Sequence, residues 1–249
     1  AVIVATGAFE KTLAFPNNDL PGIYGAGAVQ TLMNVHGVKP GDRVLMVGAG
    51  NIGLIVSYQL QQAGVQVAAI LDAAPKIGGY LVHASKIRRM GVPILTSHTV
   101  KEAIGKEFVE KAIVCQVDEK FQAIEGTEME FDVDVICISV GLTPLNELLA
   151  MRGCQTKYVP QLSGFVPLRN ENYETTIENV FTAGDATGVE EASSAMVEGY
   201  LSGLCAASKI GYTPGNFEER KKDYIKQLND LRSGPVGKHI LAGIEQIVI

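Results

Sequence analysis

Six residues, Gly48-Ala49-Gly50-Asn51-Ile52-Gly53, carry the pattern G-x-G-x-x-G. Glycine does a different job at each of the three positions. The first allows a tight turn, the second lets a bound group come close to the backbone, and the third lets a helix pack close to a strand. The free N–H groups and partial positive charge at a helix N-terminus then favour a diphosphate. Asp72 follows Gly48 by 24 positions, where a carboxylate is placed to accept the hydroxyls of an adenosine ribose. A carboxylate there repels a 2′-phosphate, so NAD is expected, with NADP less favoured. Lys76, Arg88 and Arg89 are read as ordinary surface charge. The expected nucleotide contacts are Gly48, Gly50, Asn51, Ile52, Gly53 and Asp72, with Gly141 at the end of a later strand.

That chemistry requires a strand before the glycines and a helix after them. Arg43–Val47 is a short apolar run, and residues 48–63 are amphipathic until Gly64, a helix-ending residue. Residues 65–71 form the near-continuous apolar run of a parallel strand covered on both faces. Around this βαβ unit the pattern predicts a buried strand at 1–5, helices at 25–38 and 78–90, a strand at 92–95, an antiparallel meander at 98–131 and a buried parallel strand at 133–140. Further on, 158–167 reads as a loop, 179–183 as a strand and 189–210 as a long helix rich in small residues. In that helix Gly199, Gly203, Ala206 and Ala207 suggest close packing against a neighbour. Phe217–Leu231 reads as a charged helix with a solvated face. The fold class expected is α/β, a Rossmann-like three-layer domain with a parallel sheet and an antiparallel meander.

The bulk properties narrow the roles. The chain has 249 residues and a formal net charge of -6, which argues against nucleic acid or an anionic membrane surface as partner. No stretch approaches the ~18 apolar residues of a membrane span. Cys115, Cys137, Cys154 and Cys205 form no C-x-x-C pair and no zinc pattern, so they are expected to be buried apolar residues in a reducing, cytoplasmic setting. No metal site is expected. His36, His83, His98 and His239 lack partner spacing and are read as solvated or structural. The opening residues 1–5 are already strand-like, and the chain is expected to be N-terminally truncated.

Three further signatures flank the βαβ unit: Ala5-Thr6-Gly7 before it, Ser139-Val140-Gly141-Leu142-Thr143-Pro144 after it, and Thr182-Ala183-Gly184-Asp185-Ala186 leading into a helix. In this order they resemble the two-dinucleotide-domain flavoproteins of the pyridine nucleotide–disulfide oxidoreductase superfamily. Ala5-Thr6-Gly7-Ala8-Phe9-Glu10, Leu20-Pro21-Gly22, Gly25-Ala26-Gly27-Ala28-Val29-Gln30 and the segment from Ala183 to Ala192 look like one branch of it. That branch holds the α-type subunits of sarcosine oxidase, dye-linked proline dehydrogenase and hydrogen cyanide synthase. The resemblance implies an NAD(P)-binding domain at 25–145 inserted into an incomplete FAD-binding domain at 1–24 and 146–249. It also implies FAD contacts at Thr6, Gly7, Gly184 and Asp185 and, as partner, a second subunit. Glu190 and Glu191 are read as acidic residues in the first turn of the following helix. The first βαβ unit of the family would precede Ala1, so the sequence as given is expected to hold FAD poorly. The close cysteine pair of the disulfide reductases has no counterpart here.

The expected function is a flavin-dependent oxidoreductase that passes a hydride between NAD(P)H and FAD and exchanges electrons with a partner subunit or acceptor. No side chain is assigned as catalytic, because the cofactors carry the chemistry. Two other readings stay open: a non-catalytic nucleotide-binding or electron-transfer module, and an enzyme that uses NAD on a small-molecule substrate without flavin.

Overall fold

The computed structural model describes residues 1–249. The chain divides into two compact units, one made of Ala1–Phe9 with Leu142–Ile249 and the other of Glu10–Gly141. In chain order it opens with β1 (Val2–Val4) and β2 (Ala8–Glu10). The second unit then runs through β3 (Ile23–Gly25), α1 (Ala26–Asn34), β4 (Arg43–Val47), α2 (Asn51–Gln62), β5 (Gln66–Asp72), α3 (Leu81–Arg89) and β6 (Ile94–Thr96). It continues with β7 (His98–Ile104), β8 (Lys111–Gln116), β9 (Met129–Asp132) and β10 (Val135–Ile138). The chain returns to the first unit with β11 (Leu142–Pro144), α4 (Glu147–Met151), β12 (Thr156–Val159), β13 (Gly164–Pro167) and β14 (Val180–Thr182), and ends in α5 (Ala192–Lys209), α6 (Phe217–Leu231) and α7 (Pro235–Ile244).

The second unit is built on a five-stranded parallel sheet in the order β3-β10-β4-β5-β6. Alternation along β4 sends Val44 and Met46 to one face and Leu45 and Val47 to the other. The first face is covered by α1, α2 and α3 through Ala26, Val29, Leu54, Leu60, Ala84 and Ile87. The second is covered by the antiparallel sheet β7-β8-β9 through Val100, Ala112 and Val114. Covering on both faces explains why β4, β5 and β10 read as almost unbroken apolar runs. β5 carries one extra residue, because Val44 pairs with Val67 while Leu45 pairs with Ala69. The alternation resets there, so that Val67 and Ile70 share the helix face while Ala69 and Leu71 face the meander. The expected three-layer fold with its meander is the one observed.

In the first unit β1 and β14 form a parallel pair, and β12 and β13 an antiparallel hairpin. Phe181, Tyr173, Val197, Leu201, Cys205 and Leu228 form a core between the end of β14, α5 and α6, while α7 packs Ile240 onto Val159, Leu162 and Val166.

Several expectations need correction. Residues 1–5 contain a strand, but it is not buried: Val2 is 59% and Ile3 43% exposed, because β14 supplies a partner along one edge and nothing covers these side chains. The segment 158–167 is largely the β12–β13 hairpin rather than a loop. Its turn is a short 3₁₀ segment, Pro160–Leu162, followed by Ser163 at φ 72°. Gly199 and Gly203 do not serve close packing, since an added Cβ would meet nothing within 4 Å at either. The two compact units divide after Phe9 and after Gly141, and β3 with the loop before it joins the sheet and core of the second unit through Leu13, Phe15, Leu20 and Ile23. All four cysteines are buried and free, as expected.

Candidate functional site

The strand order reverses between β4 and β10. The chain leaves β4 toward β5 on one side, while β10 enters on the other. In open parallel sheets such a switch point opens a crevice beyond the C-terminal strand ends, and ligands bind there. Gly48 follows β4 at this point with φ 118°, and Ser139, just past the end of β10, lies against it: Ser139 N–H donates to Val47 O at 2.7 Å. A Cβ on Gly48 would stand 2.0 Å from the Ser139 carbonyl oxygen, and one on Gly53 would stand 2.0 Å from the Gly48 carbonyl oxygen. Neither position accepts a side chain. Gly50 differs. Its added Cβ meets nothing within 4 Å, so here glycine keeps a surface open rather than relieving a contact within the fold.

Gly50 is the N-cap of α2, and no side chain caps that end. The N–H groups of Asn51, Ile52 and Gly53 donate to no protein acceptor, as the first turn of an uncapped helix leaves them. Asp72, at the end of β5, holds the turn from the side: one oxygen accepts from Ala49 N–H at 3.1 Å and the other from Ala74 N–H at 2.9 Å. A carboxylate has about four acceptor positions, so two remain for a further donor. Gly141 ends the strand segment with φ 115°, and its carbonyl accepts from Lys11 N–H at 2.9 Å. The structure therefore brings Gly48, Gly50, Gly53 and Asp72 together, with Gly141 two residues beyond Ser139 on the neighbouring strand. Ile52 is exposed, and the Asn51 side chain is already engaged, accepting from Tyr80 N–H at 2.8 Å.

That last bond belongs to a feature the sequence reading missed. Residues 73–80 return across the glycine turn, with Gly79 N–H donating to Ala49 O at 3.0 Å. A Cβ on Gly79 would lie 2.9 Å from the Gly50 carbonyl carbon, so Gly79 permits this close crossing. A Gly-Gly pair just before a helix was the available signal. Lys76 is exposed on this segment, whereas Arg88 and Arg89 lie in the last turn of α3, where they complement the helix dipole.

The second set of expected residues lies in the first unit. Val4 pairs with Thr182, so Thr6-Gly7 and Gly184-Asp185 emerge from the same end of two adjacent parallel strands. Thr6 Oγ1 donates to Leu145 O, and Leu145 N–H donates to Gly7 O at 3.0 Å, which fixes the turn after β1. Gly7 has φ 77° and Gly184 φ 70°. Asp185 is half-buried, and burial pushes its carboxyl up from the ordinary range. Its Oδ1 accepts from Glu190 N–H at 3.2 Å. Glu190 and Glu191 are not in the first turn of the helix, which starts at Ala192; Glu191 is the N-cap, and Glu190 precedes it and pairs with Arg232 at 2.7 Å. Two further residues escaped the sequence reading, Glu198 and Arg232, both buried and joined at 2.6 Å.

A family model described as pyridine nucleotide-disulphide oxidoreductase matches residues 1–199. The chain belongs to the pyridine nucleotide-disulphide oxidoreductase family. This is a family of flavin-dependent oxidoreductases that use FAD and NAD(P)H, and the oxidoreductase and cofactor expectations agree with that membership. Among curated relatives, the alpha subunit of sarcosine oxidase from Corynebacterium sp. (strain P-1) is 28% identical over 85% of this chain and 21% of its own length. An opine oxidase subunit from Agrobacterium tumefaciens (strain Ach5) is 26% identical over 84% of this chain and 44% of its own. The HcnB subunit of hydrogen cyanide synthase from Pseudomonas aeruginosa is 22% identical over 98% of this chain and 55% of its own. The chain thus spans between about a fifth and about half of these relatives. The fold is shared with T. acidophilum thioredoxin reductase, with a TM-score of 0.69 at 22% identity over 84% of this chain and 65% of that one. It is also shared with L-proline dehydrogenase from P. horikoshii, with a TM-score of 0.58 at 22% identity over 89% of this chain and 37% of that one. No helix is long and apolar enough to cross a membrane.

Both cofactors of the family can be tested against the residues present. The turn at 48–53 fits a diphosphate, with an open face at Gly50, unpaired N–H groups behind it and a carboxylate with acceptor capacity to one side. The Thr6-Gly7 and Gly184-Asp185 strand ends fit part of a flavin nucleotide, with one Asp185 oxygen left for a hydroxyl-rich chain.

Proposed function

We propose that this chain forms the nucleotide-binding part of a flavin-dependent oxidoreductase in which NAD(H) is seated on the 48–53 turn and FAD at Thr6, Gly7, Gly184 and Asp185. On this reading the unit Glu10–Gly141 is the NAD(P)-binding domain, and the other unit is the return of the FAD-binding domain. When bound, the nicotinamide supplies a hydride and the flavin passes electrons on to a partner subunit or acceptor. The chain's own residues position the cofactors. Gly48 and Gly53 fix the turn, Gly50 leaves it open, the first N–H groups of α2 face the diphosphate, and Asp72 receives the ribose while repelling a 2′-phosphate.

The observation that carries this reading is the contrast among the three glycines: two are forced by the fold, and Gly50 is not. Gly50→Ala is therefore expected to leave the melting temperature within about 2 °C of the parent and to weaken NADH binding tenfold or more. Fluorescence titration with NADH beside a thermal melt checks both. Equal NADH affinity in the variant removes the assignment. Asp72→Asn keeps one acceptor but turns an amide toward an N–H donor. It is expected to lose about 1–2 kcal/mol of stability and to raise the ratio of NADPH to NADH affinity, read by parallel titrations.

One observation favours a second reading, a nucleotide-fold module without redox turnover. Asn51 and Asp72 are already bonded to the backbone, and the Gly78-Gly79 crossing lies on the turn. Anaerobic addition of NADH to the full-length protein separates the two. Bleaching of a bound flavin supports the enzyme, and a colourless protein that binds NADH supports the module.

A further inference from the structure

Glu198 sits mid-helix in α5 and is 3% exposed, an expensive place for a carboxylate unless every lone pair is used. They are used. Oε1 accepts from Arg232 Nη2 at 2.6 Å and from Tyr173 OH at 2.9 Å. Oε2 accepts from Gly184 N–H at 2.9 Å, and Thr187 Oγ1 lies 3.2 Å from it, its single proton shared with Gly184 O at 2.9 Å. Arg232, at the C-terminal end of α6, also grips Glu190, with Nε at 3.0 and 3.1 Å and Nη2 at 2.7 Å from its carboxylate. The N–H of Glu190 then holds Asp185 Oδ1. Arg169 stacks on the Tyr173 ring at 3.8 Å, and burial pushes the Tyr173 hydroxyl up to about 12, so it stays a donor to Glu198 at neutral pH.

Two paths thus lead from Arg232 to one turn. Through Glu198 it reaches the backbone of Gly184 and the hydroxyl of Thr187, and through Glu190 it reaches the Asp185 carboxylate. Buried ion clusters are often matched or exceeded in stability by apolar residues of similar volume, so stability alone is a weak reason to keep one here. What an apolar cluster cannot do is hold a backbone N–H and two side chains of a glycine turn in one arrangement, leaving Asp185 Oδ2 with no protein donor.

We propose that Glu198 and Arg232 are positioning residues that set the Gly184–Thr187 turn for the flavin nucleotide; this rests on the reading of Asp185 as a flavin contact. Neither touches the flavin itself. They act through Gly184, Thr187 and Asp185.

The test uses the full-length protein, stripped of flavin and reloaded with FAD. Glu198→Gln keeps the side-chain shape but presents an amide donor to groups that are themselves donors. It is expected to weaken FAD binding tenfold or more, to shift the visible spectrum of the bound flavin, and to speed amide exchange over residues 184–190 in the flavin-free form. NADH affinity should stay within twofold. Thr187→Val, which removes one hydroxyl, should weaken FAD threefold or more, and it carries the test if Glu198→Gln does not fold. A cluster that only ties α5 to α6 would lower the melting temperature while FAD affinity stayed within twofold and the flavin spectrum unshifted, and that result overturns the proposal. Asp185→Asn separates the two levels. If it weakens FAD tenfold while the Glu198 and Thr187 variants do not, the positioning role falls and the flavin assignment stands. If Asp185→Asn leaves FAD affinity unchanged, both fall.

Discussion

Replacing Gly48 by alanine is expected to unfold the Glu10–Gly141 unit at markedly lower denaturant and to abolish NADH binding. Two independent effects act at this one position. The φ of 118° lies in a region that side-chain-bearing residues rarely adopt, at a cost of roughly 1–3 kcal/mol. The new Cβ would also stand 2.0 Å from the Ser139 carbonyl oxygen and 2.7 Å from its carbon, so the backbone between β4 and β10 has to shift. Forced repacking of this kind costs about 1–3 kcal/mol more. Together they remove a large share of a typical stability of about 5–15 kcal/mol. Urea unfolding followed by circular dichroism measures the loss. A variant with an unchanged midpoint would show that the turn relaxes freely, and the division of roles among the glycines would be wrong. Beside Gly50→Ala, which leaves stability alone, the pair separates what the turn needs to fold from what it needs to bind.

The other large effect is expected in the first unit, at Arg232→Met. Methionine fills similar volume but leaves the carboxylates of Glu190 and Glu198 buried without their cation. Breaking a buried pair from one side costs about 3–5 kcal/mol. Arg232→Lys restores the charge without the fork that spans two carboxylates, and should recover part of that loss. Thermal and urea melts of the three proteins check the order arginine, lysine, methionine. Equal melts would mean the cluster opens to water with little cost. Because Leu228 of the same helix lies in the core with Phe181 and Leu201, the loss should be cooperative across α5 and α6 rather than local fraying.

The β4-α2-β5 unit was legible because its signals are local. An apolar run, three glycines at fixed spacing and a terminal aspartate all sit within 30 residues, and burial on both faces keeps the interior of each strand apolar. The hairpin of β12 and β13 was not legible, because Pro160, Ser163 and Gly164 give it the composition of a loop, while its four-pair ladder and the edge contact of Tyr158 with Phe165 exist only in the folded chain. α7 escaped for the opposite reason: Val236, Ile240, Leu241 and Ile244 form a short apolar stretch with few polar residues to mark a helical face. The exposure of β1 could not be read, since an apolar run says that a strand can be buried and not that anything covers it. Glu198 gave no signal at all. A single glutamate in a helix is ordinary, and its partners Tyr173 and Arg232 lie 25 and 34 residues away in sequence. For the same reason the bracing of the turn by Asp72 stayed hidden, because the spacing that marks a ribose contact says nothing about Ala49 or Ala74.

The extra residue in β5 bears on how this site can evolve. Side chains on a strand obey parity, and the doubled step at Ala68-Ala69 inverts that parity for everything downstream, Asp72 included. Because Val67 and Ala69 already pair in phase with Val44 and Leu45, losing one of the two alanines would restore plain alternation and leave Asp72 on its present face. A one-residue insertion or deletion between Ile70 and Asp72 would instead turn the carboxylate away from the glycines.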